Sequence, residues 1–179
     1  ITELQLGGVI LFANNLKDKQ QIRHLTADLQ RASSDGLPLL IGIDQEGGRV
    51  ARLPTQDFPA FAGNMAIGAT LAASGDRYAT EVGKAIAQQL SSLGINLNFA
   101  PSVDVNNNPA NPVINARSFG DNAAAVAQAG GAMLSAMQAA GVLGTIKHFP
   151  GHGDTHVDSH TGLPLVEHGR ATVEAVDLY

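Results

Sequence analysis

The densest run of chemistry-bearing side chains is residues 147–160, Lys-His-Phe-Pro-Gly-His-Gly-Asp-Thr-His-Val-Asp-Ser-His, which holds four of the chain's 6 histidines. His148, His152, His156 and His160 recur at intervals of four, and on a helix that spacing would align them on one face as metal ligands. Pro150, Gly151 and Gly153 disfavour a helix here, so the segment reads as a loop that gathers polar side chains near one point. Asp158 and His160 stand two apart, where in an extended segment a carboxylate can hold and polarise an imidazole. An imidazole with an ordinary pKa of ~6.5 can give or take a proton close to neutrality. The pair is therefore a candidate acid/base, weighed against the blander reading of a solvated histidine-rich loop.

Three further stretches carry candidates. Asp44 closes an apolar run and is placed to accept hydrogen bonds from substrate hydroxyls. In the following Gln45-Glu46-Gly47-Gly48-Arg49-Val50-Ala51-Arg52, the two glycines permit backbone geometry that side chains would block. There, a structural turn with Glu46 bridged to Arg49 or Arg52 is the alternative, and for Arg49 the favoured one. Arg117, within Asn115-Ala116-Arg117-Ser118-Phe119-Gly120, offers a fork of donors suited to hydroxyls or carboxylates, against the default of an exposed loop arginine. Asp104 ends the run Ala100-Pro101-Ser102-Val103-Asp104, and buttressing of neighbouring loops is preferred for it over substrate contact. His24 and His168 need no role.

These loops must be held by something, and the pattern between them is strand, helix, strand, repeated. Residues 7–12, 38–43, 95–100 and 144–148 are short apolar runs without polar alternation, as expected of parallel strands covered on both faces. Helical periodicity covers residues 16–32, a segment opening near Ser74 and Asp76 and running to Leu93, residues 123–140, and a last stretch that begins near Arg170 and is expected to run on to Tyr179. No glycine-rich phosphate fingerprint follows the first strand, which argues against a doubly wound sheet. Polar residues cluster after every strand, as on the active-site face of a (β/α)8 barrel. A barrel uses eight strands over about 250 residues, so four strands in 179 residues read as about half of a TIM-type α/β barrel, one domain over residues 1–179. With 16 acidic and 11 basic residues, net charge −5 and no basic run, nucleic acid and anionic membranes are poor partners. No cysteine is present, which excludes thiol catalysis and disulfide scaffolds. No apolar run approaches the ~20 residues of a membrane span.

Taken in order, GGVILF, IDQEGGRV, NFAPSVDV, NARSFG and KHFPGHGDTHVDSH resemble the β-N-acetylhexosaminidases of glycoside hydrolase family 3 along essentially the whole chain. The Asp-Ser-His ending looks like the one that separates this branch from the family's β-glucosidases. The resemblance implies His160 as the acid/base and Asp158 as its partner, and Asp44, Arg52, Arg117, Lys147 and His148 as ligands of a terminal N-acetylglucosamine. It implies no metal and no cofactor, and a retaining mechanism on glycosides such as peptidoglycan fragments. It also implies that the four strands correspond to the second to fifth of eight. The family's aspartate nucleophile, on a later strand, has no counterpart in this sequence.

The main expectation is thus an exo-acting β-N-acetylglucosaminidase of cytoplasmic location, with an exported form as the alternative. Phosphate replacing water would make it a phosphorylase. The competing readings are a metal-dependent barrel hydrolase using His148, His152, His156 or His160, and a carbohydrate-binding pseudoenzyme. Four strands from the middle of a barrel leave two open sheet edges, so residues 1–179 alone are expected to be insoluble, oligomeric or poorly cooperative in unfolding, and to be inactive.

Overall fold

The structure, a computed structural model, describes residues 3–33 and 37–179. Four strands, β1 (Gly8–Leu11), β2 (Leu40–Ile43), β3 (Leu97–Asn98) and β4 (Leu143–Gly144), form one parallel sheet in the order β1-β2-β3-β4. The helices are α1 (Lys19–Arg31), α2 (Asn64–Gly68), α3 (Leu71–Ser74), α4 (Arg77–Ser92), α5 (Ala123–Ala139) and α6 (Arg170–Val176). Each crossover, carried by α1, α4 and α5 in turn, steps to the next neighbour without reversing direction. A doubly wound sheet reverses at its switch point; the sequential order is that of a barrel wall, here a partial barrel.

The register explains which face is covered. Leu11 pairs with Ile43, and Ile43 with Asn98, on the face buried under the helices. Ile22, Ile86, Leu90, Met133 and Met137 fill the layer between helices and sheet. The helices stand side by side. Thr26 of α1 donates to the Leu93 carbonyl at 2.6 Å, and Gly83 of α4 lies so close to α5 that a Cβ there would meet the Met133 carbonyl oxygen at 2.7 Å. On the opposite face, Ile10, Gly42, Leu97 and Leu143 are in register. That inner face of the arc is open, with Ile10 50% and Leu143 52% exposed.

Local boundaries differ from the expected ones for physical reasons. The helix expected from residue 16 starts at Lys19, because the Asp18 carboxylate accepts from the Gln21 amide at 2.8 Å and caps it. The fourth strand shortens to Leu143–Gly144, and Lys147 instead makes an isolated parallel bridge to Ser102. The last helix, expected to run to Tyr179, ends at Val176, where the Asp177 and Leu178 amides both turn back to the Val173 carbonyl. Among the described residues no helix is long and apolar enough to cross a membrane.

Two asparagines on and beside β3 do the work of extra ladder rungs. Asn96 accepts from the Ile41 amide at 2.8 Å and donates to the Leu39 carbonyl at 2.9 Å. Asn98, fully buried, accepts from the Gln45 amide at 3.0 Å and donates to the Gln45 carbonyl at 2.9 Å. The second pair fixes the chain immediately beyond β2, between Asp44 and Glu46. Replacing Asn98 with leucine keeps the branched shape but strands both Gln45 backbone groups. Asn98→Leu should lower the unfolding free energy by about 2–4 kcal/mol in denaturant titration.

Candidate functional site

Three loops leave the carboxyl ends of β2, β3 and β4 and converge on one side chain. Glu46 is 2% exposed and accepts from Arg117 Nη2 at 2.8 Å and Nε at 3.0 Å, a two-pronged contact. Its Oε1 also lies 2.7 Å from Lys147 Nζ, which in turn donates to Asp44 Oδ1 at 2.8 Å. Burial pushes the Glu46 carboxyl up, but the Arg117 hydrogen bonds and the Lys147 charge outweigh burial and hold it below its ordinary 4.5. Burial likewise works against the Arg117 charge, and Glu46 outweighs it, so the guanidinium is held more firmly charged.

The Arg117 loop is fastened from several sides. Its own backbone carbonyl accepts from Asn64 of α2 at 2.8 Å, and the Gly47-Gly48 turn packs beneath it. Gly48 has φ +55°, and a Cβ there would meet Gly63 Cα at 2.7 Å, so the turn admits no side chain. Asn111 ties the same loop to the histidine-rich one, donating to the His152 carbonyl at 2.7 Å while accepting from the Ile114 amide at 2.7 Å.

The histidine-rich segment is a loop, as its proline and glycines require. Its histidines take separate partners. The His148 ring lies 2.6 Å from Asp104 and 3.2 Å from Arg117 Nη2. His152 is buried against the Thr155 hydroxyl, with its Nε2 unpartnered and its pKa lowered chiefly by burial. His156 faces Asn108 at 3.3 Å, and His160 Nδ1 lies 2.7 Å from Asp158 Oδ1. Among the described residues no three metal-ligating side chains are arranged to hold an ion.

Of the candidates, Asp44, Arg117, Lys147 and His148 come together in one bonded cluster. Arg52 stands apart from it, partly buried, with its Nε enclosed and unpartnered. Asp158 and His160 bond to each other and touch none of the cluster; His160 is 76% exposed. The His160 amide, followed by the His160 ring, holds the Asp158 carboxyl below its ordinary range. Glu46 does not bridge Arg49 or Arg52 as expected: Arg49 is exposed and forms no ion pair among the described residues, because Glu46 turns inward to the two cations that arrive from other loops. Arg117 is correspondingly no exposed loop arginine. Asp104 has the geometry of the favoured buttress, buried and accepting from the His148 and His152 amides of the histidine-rich loop. His168 pairs with Asp154.

Residues 1–179 match the family described as Glycosyl hydrolase family 3 N terminal domain. The chain is 57% identical over 181 residues to Beta-hexosaminidase A of Pseudoalteromonas piscicida, covering 99% of this chain and 30% of that protein. Among solved structures, a glycoside hydrolase family 3 β-N-acetylglucosaminidase from Paenibacillus sp. str. FPU-7 superposes with a TM-score of 0.93 at 48% identity, over 99% of this chain and 34% of that one. NagZ from Neisseria gonorrhoeae, in complex with N-trifluoroacetyl-D-glucosamine, gives 0.89 at 35% identity, over 96% of this chain and 51% of that one. The chain thus spans between about a third and a half of the length of these relatives.

Because Glu46 compensates two cations, neutralising it should be costly. Glu46→Gln should lose about 3–5 kcal/mol of stability at pH 7, the range for one partner removed from a buried ion pair. With the native pKa depressed, the Glu46 contribution is full above the ordinary 4.5 and disappears as pH falls through the lower native value. The gap between the unmodified protein and Glu46→Gln should therefore close on acidification, which denaturant unfolding at a series of pH values measures.

Proposed function

The chain belongs to glycosyl hydrolase family 3, and from that premise we propose that its strand-end loops bind a terminal N-acetylglucosamine in a retaining exo-β-N-acetylglucosaminidase. The observation that carries this reading is the convergence of Asp44, Lys147, Arg117 and His148 at the carboxyl ends of three strands, with the Asp158–His160 pair in the loop beyond the fourth. A sugar hydroxyl is both donor and acceptor. Asp44 offers a carboxylate, 23% exposed, to accept from it, while Lys147 and Arg117 offer donors to its oxygen. Arg52, which stands apart from this cluster, is assigned to the same sugar by the family resemblance, and its Nε is enclosed and unpartnered.

Asp158 holds the imidazole by one nitrogen, leaving His160 Nε2 to act on the glycoside. As imidazolium it protonates the departing oxygen; once neutral it takes a proton from the incoming water. Asp158, acceptor of both the ring and the amide of His160, steadies the charge that develops on the ring. The pair stands at the surface, so protonating an oxygen held near Asp44 requires its segment to turn inward. None of the cluster's carboxylates is left to attack the anomeric carbon. Asp44 is bonded to Lys147, Glu46 is enclosed by two cations, and Asp104 is saturated by hydrogen bonds. What assigns the nucleophile is the resemblance to the family, whose members use an aspartate on a later strand. Peptidoglycan fragments with a non-reducing N-acetylglucosamine are the proposed substrates.

The full-length protein should release the chromophore from an aryl β-N-acetylglucosaminide far faster than from the β-glucoside. His160→Ala and Asp158→Ala should each lower kcat roughly 10²–10⁴-fold, the usual worth of a positioned acid/base. Rates unchanged by added phosphate would identify water as the acceptor. Cleavage of the glucoside with no action on the N-acetyl sugar would overturn the assignment.

A further inference from the structure

The carboxylate of Asp104 is more than a brace between loops. It is 2% exposed and accepts four hydrogen bonds. Oδ2 takes the Ser102 hydroxyl at 2.8 Å and faces His148 Nδ1 at 2.6 Å. Oδ1 takes the His152 amide at 2.8 Å and the His148 amide at 3.2 Å. Burial alone would raise this carboxyl, yet the His148 ring and Ser102 outweigh it and keep it ionised. An ionised carboxylate only accepts, so the hydrogen between it and His148 belongs to Nδ1. On the other side of the ring, Nε2 lies 3.2 Å from Arg117 Nη2, and a guanidinium only donates. Nε2 therefore carries a lone pair and not a hydrogen.

We propose that Asp104 is a positioning residue for sugar binding, which acts by fixing the Nδ1–H tautomer of His148 and so gives Arg117 Nη2 an acceptor that holds its guanidinium in place. The proposal rests on the sugar-binding reading of this cluster. Its content is that the single lone pair of Nε2 accepts from Arg117 Nη2 at 3.2 Å, so that the imidazole and Glu46 together hold the guanidinium in the orientation it presents to the sugar. With the opposite tautomer, Nε2–H and the guanidinium would be two donors facing each other, and Arg117 would lose that anchor. The substitution Asp104→Asn would bring an amide NH2 among four donors. The best arrangement of that amide turns its NH2 toward Nδ1 and forces the hydrogen onto Nε2.

The test uses the full-length protein. Long-range proton–nitrogen NMR of the imidazoles, with His148 assigned by its disappearance in His148→Gln, should show protonated Nδ1 and bare Nε2 in the unmodified protein. Asp104→Asn should reverse that pattern and lower kcat/KM for an aryl β-N-acetylglucosaminide roughly 10–100-fold, the worth of a hydrogen bond involving a charged group. A brace and a tautomer-setting residue are separated by the double variant. If Asp104 acts through His148, Asp104→Asn should have little further effect in the His148→Gln background; additive losses would overturn the proposal. A hydrogen on Nε2 in the unmodified protein would overturn it as well, and that measurement stands even if Asp104→Asn does not fold. Absence of any turnover by the unmodified protein would refute the sugar-binding reading, while the NMR pattern would still decide the tautomer.

Discussion

Glu46, enclosed with a guanidinium on one side and an ammonium on the other, is the contact on which the rest of the site depends. A lone carboxylate in that position would be expelled or protonated, because burying an unpaired charge costs several kcal/mol. Here the cost is met only when three separate loops have reached their places: the one that carries Glu46 itself, the β3–α5 connection with Arg117, and the segment after β4 with Lys147. The charge thus acts as a condition on assembly. Until all three loops dock, none of the ions has its full set of partners, and once they dock, small displacements of any one loop expose a buried charge.

The sheet makes that docking possible by a geometric accident of parallel strands. Strands that run the same way deliver their outgoing loops to the same rim, and a sequential order places loops from neighbouring strands side by side. Short strands sharpen the effect. β3 and β4 each contribute two residues to the ladder, yet the chain beyond them stays in register through Asn98 on Gln45 and through the Ser102–Lys147 bridge. Side-chain amides and an isolated bridge here replace ladder that the loops need for turning toward the centre.

The strands and their common rim are legible in the sequence, because apolar runs without alternation, followed each time by polar clusters, leave few architectures open. The ends of those strands are less legible: nothing in Gly144-Thr145-Ile146-Lys147 shows that pairing stops at Gly144, since the reason is a demand on Lys147 made by Glu46 a hundred residues earlier. The same distance hides the partners of Glu46. Arg117 stands 71 positions away, whereas Arg49 and Arg52 are close in sequence, and local spacing carries no information about which cation the fold will bring. Asp158 and His160 lie at the other extreme. Their contact spans two residues, so sequence adjacency is enough to find it.

That contrast divides the site into two parts with different dependence on the fold. The Glu46 cluster is assembled from long-range contacts, with both of its deeply buried carboxylates, Glu46 and Asp104, fully bonded. The Asp158–His160 pair is assembled locally, so its geometry does not depend on where the loop that carries it sits. A pair of that kind can stand exposed, as it does here, with the orientation of its ring set by its own neighbour. A carboxylic acid placed by the core would need its pKa tuned by burial at a fixed position. An imidazole held by its own neighbour keeps its orientation without burial, so it needs no fixed place.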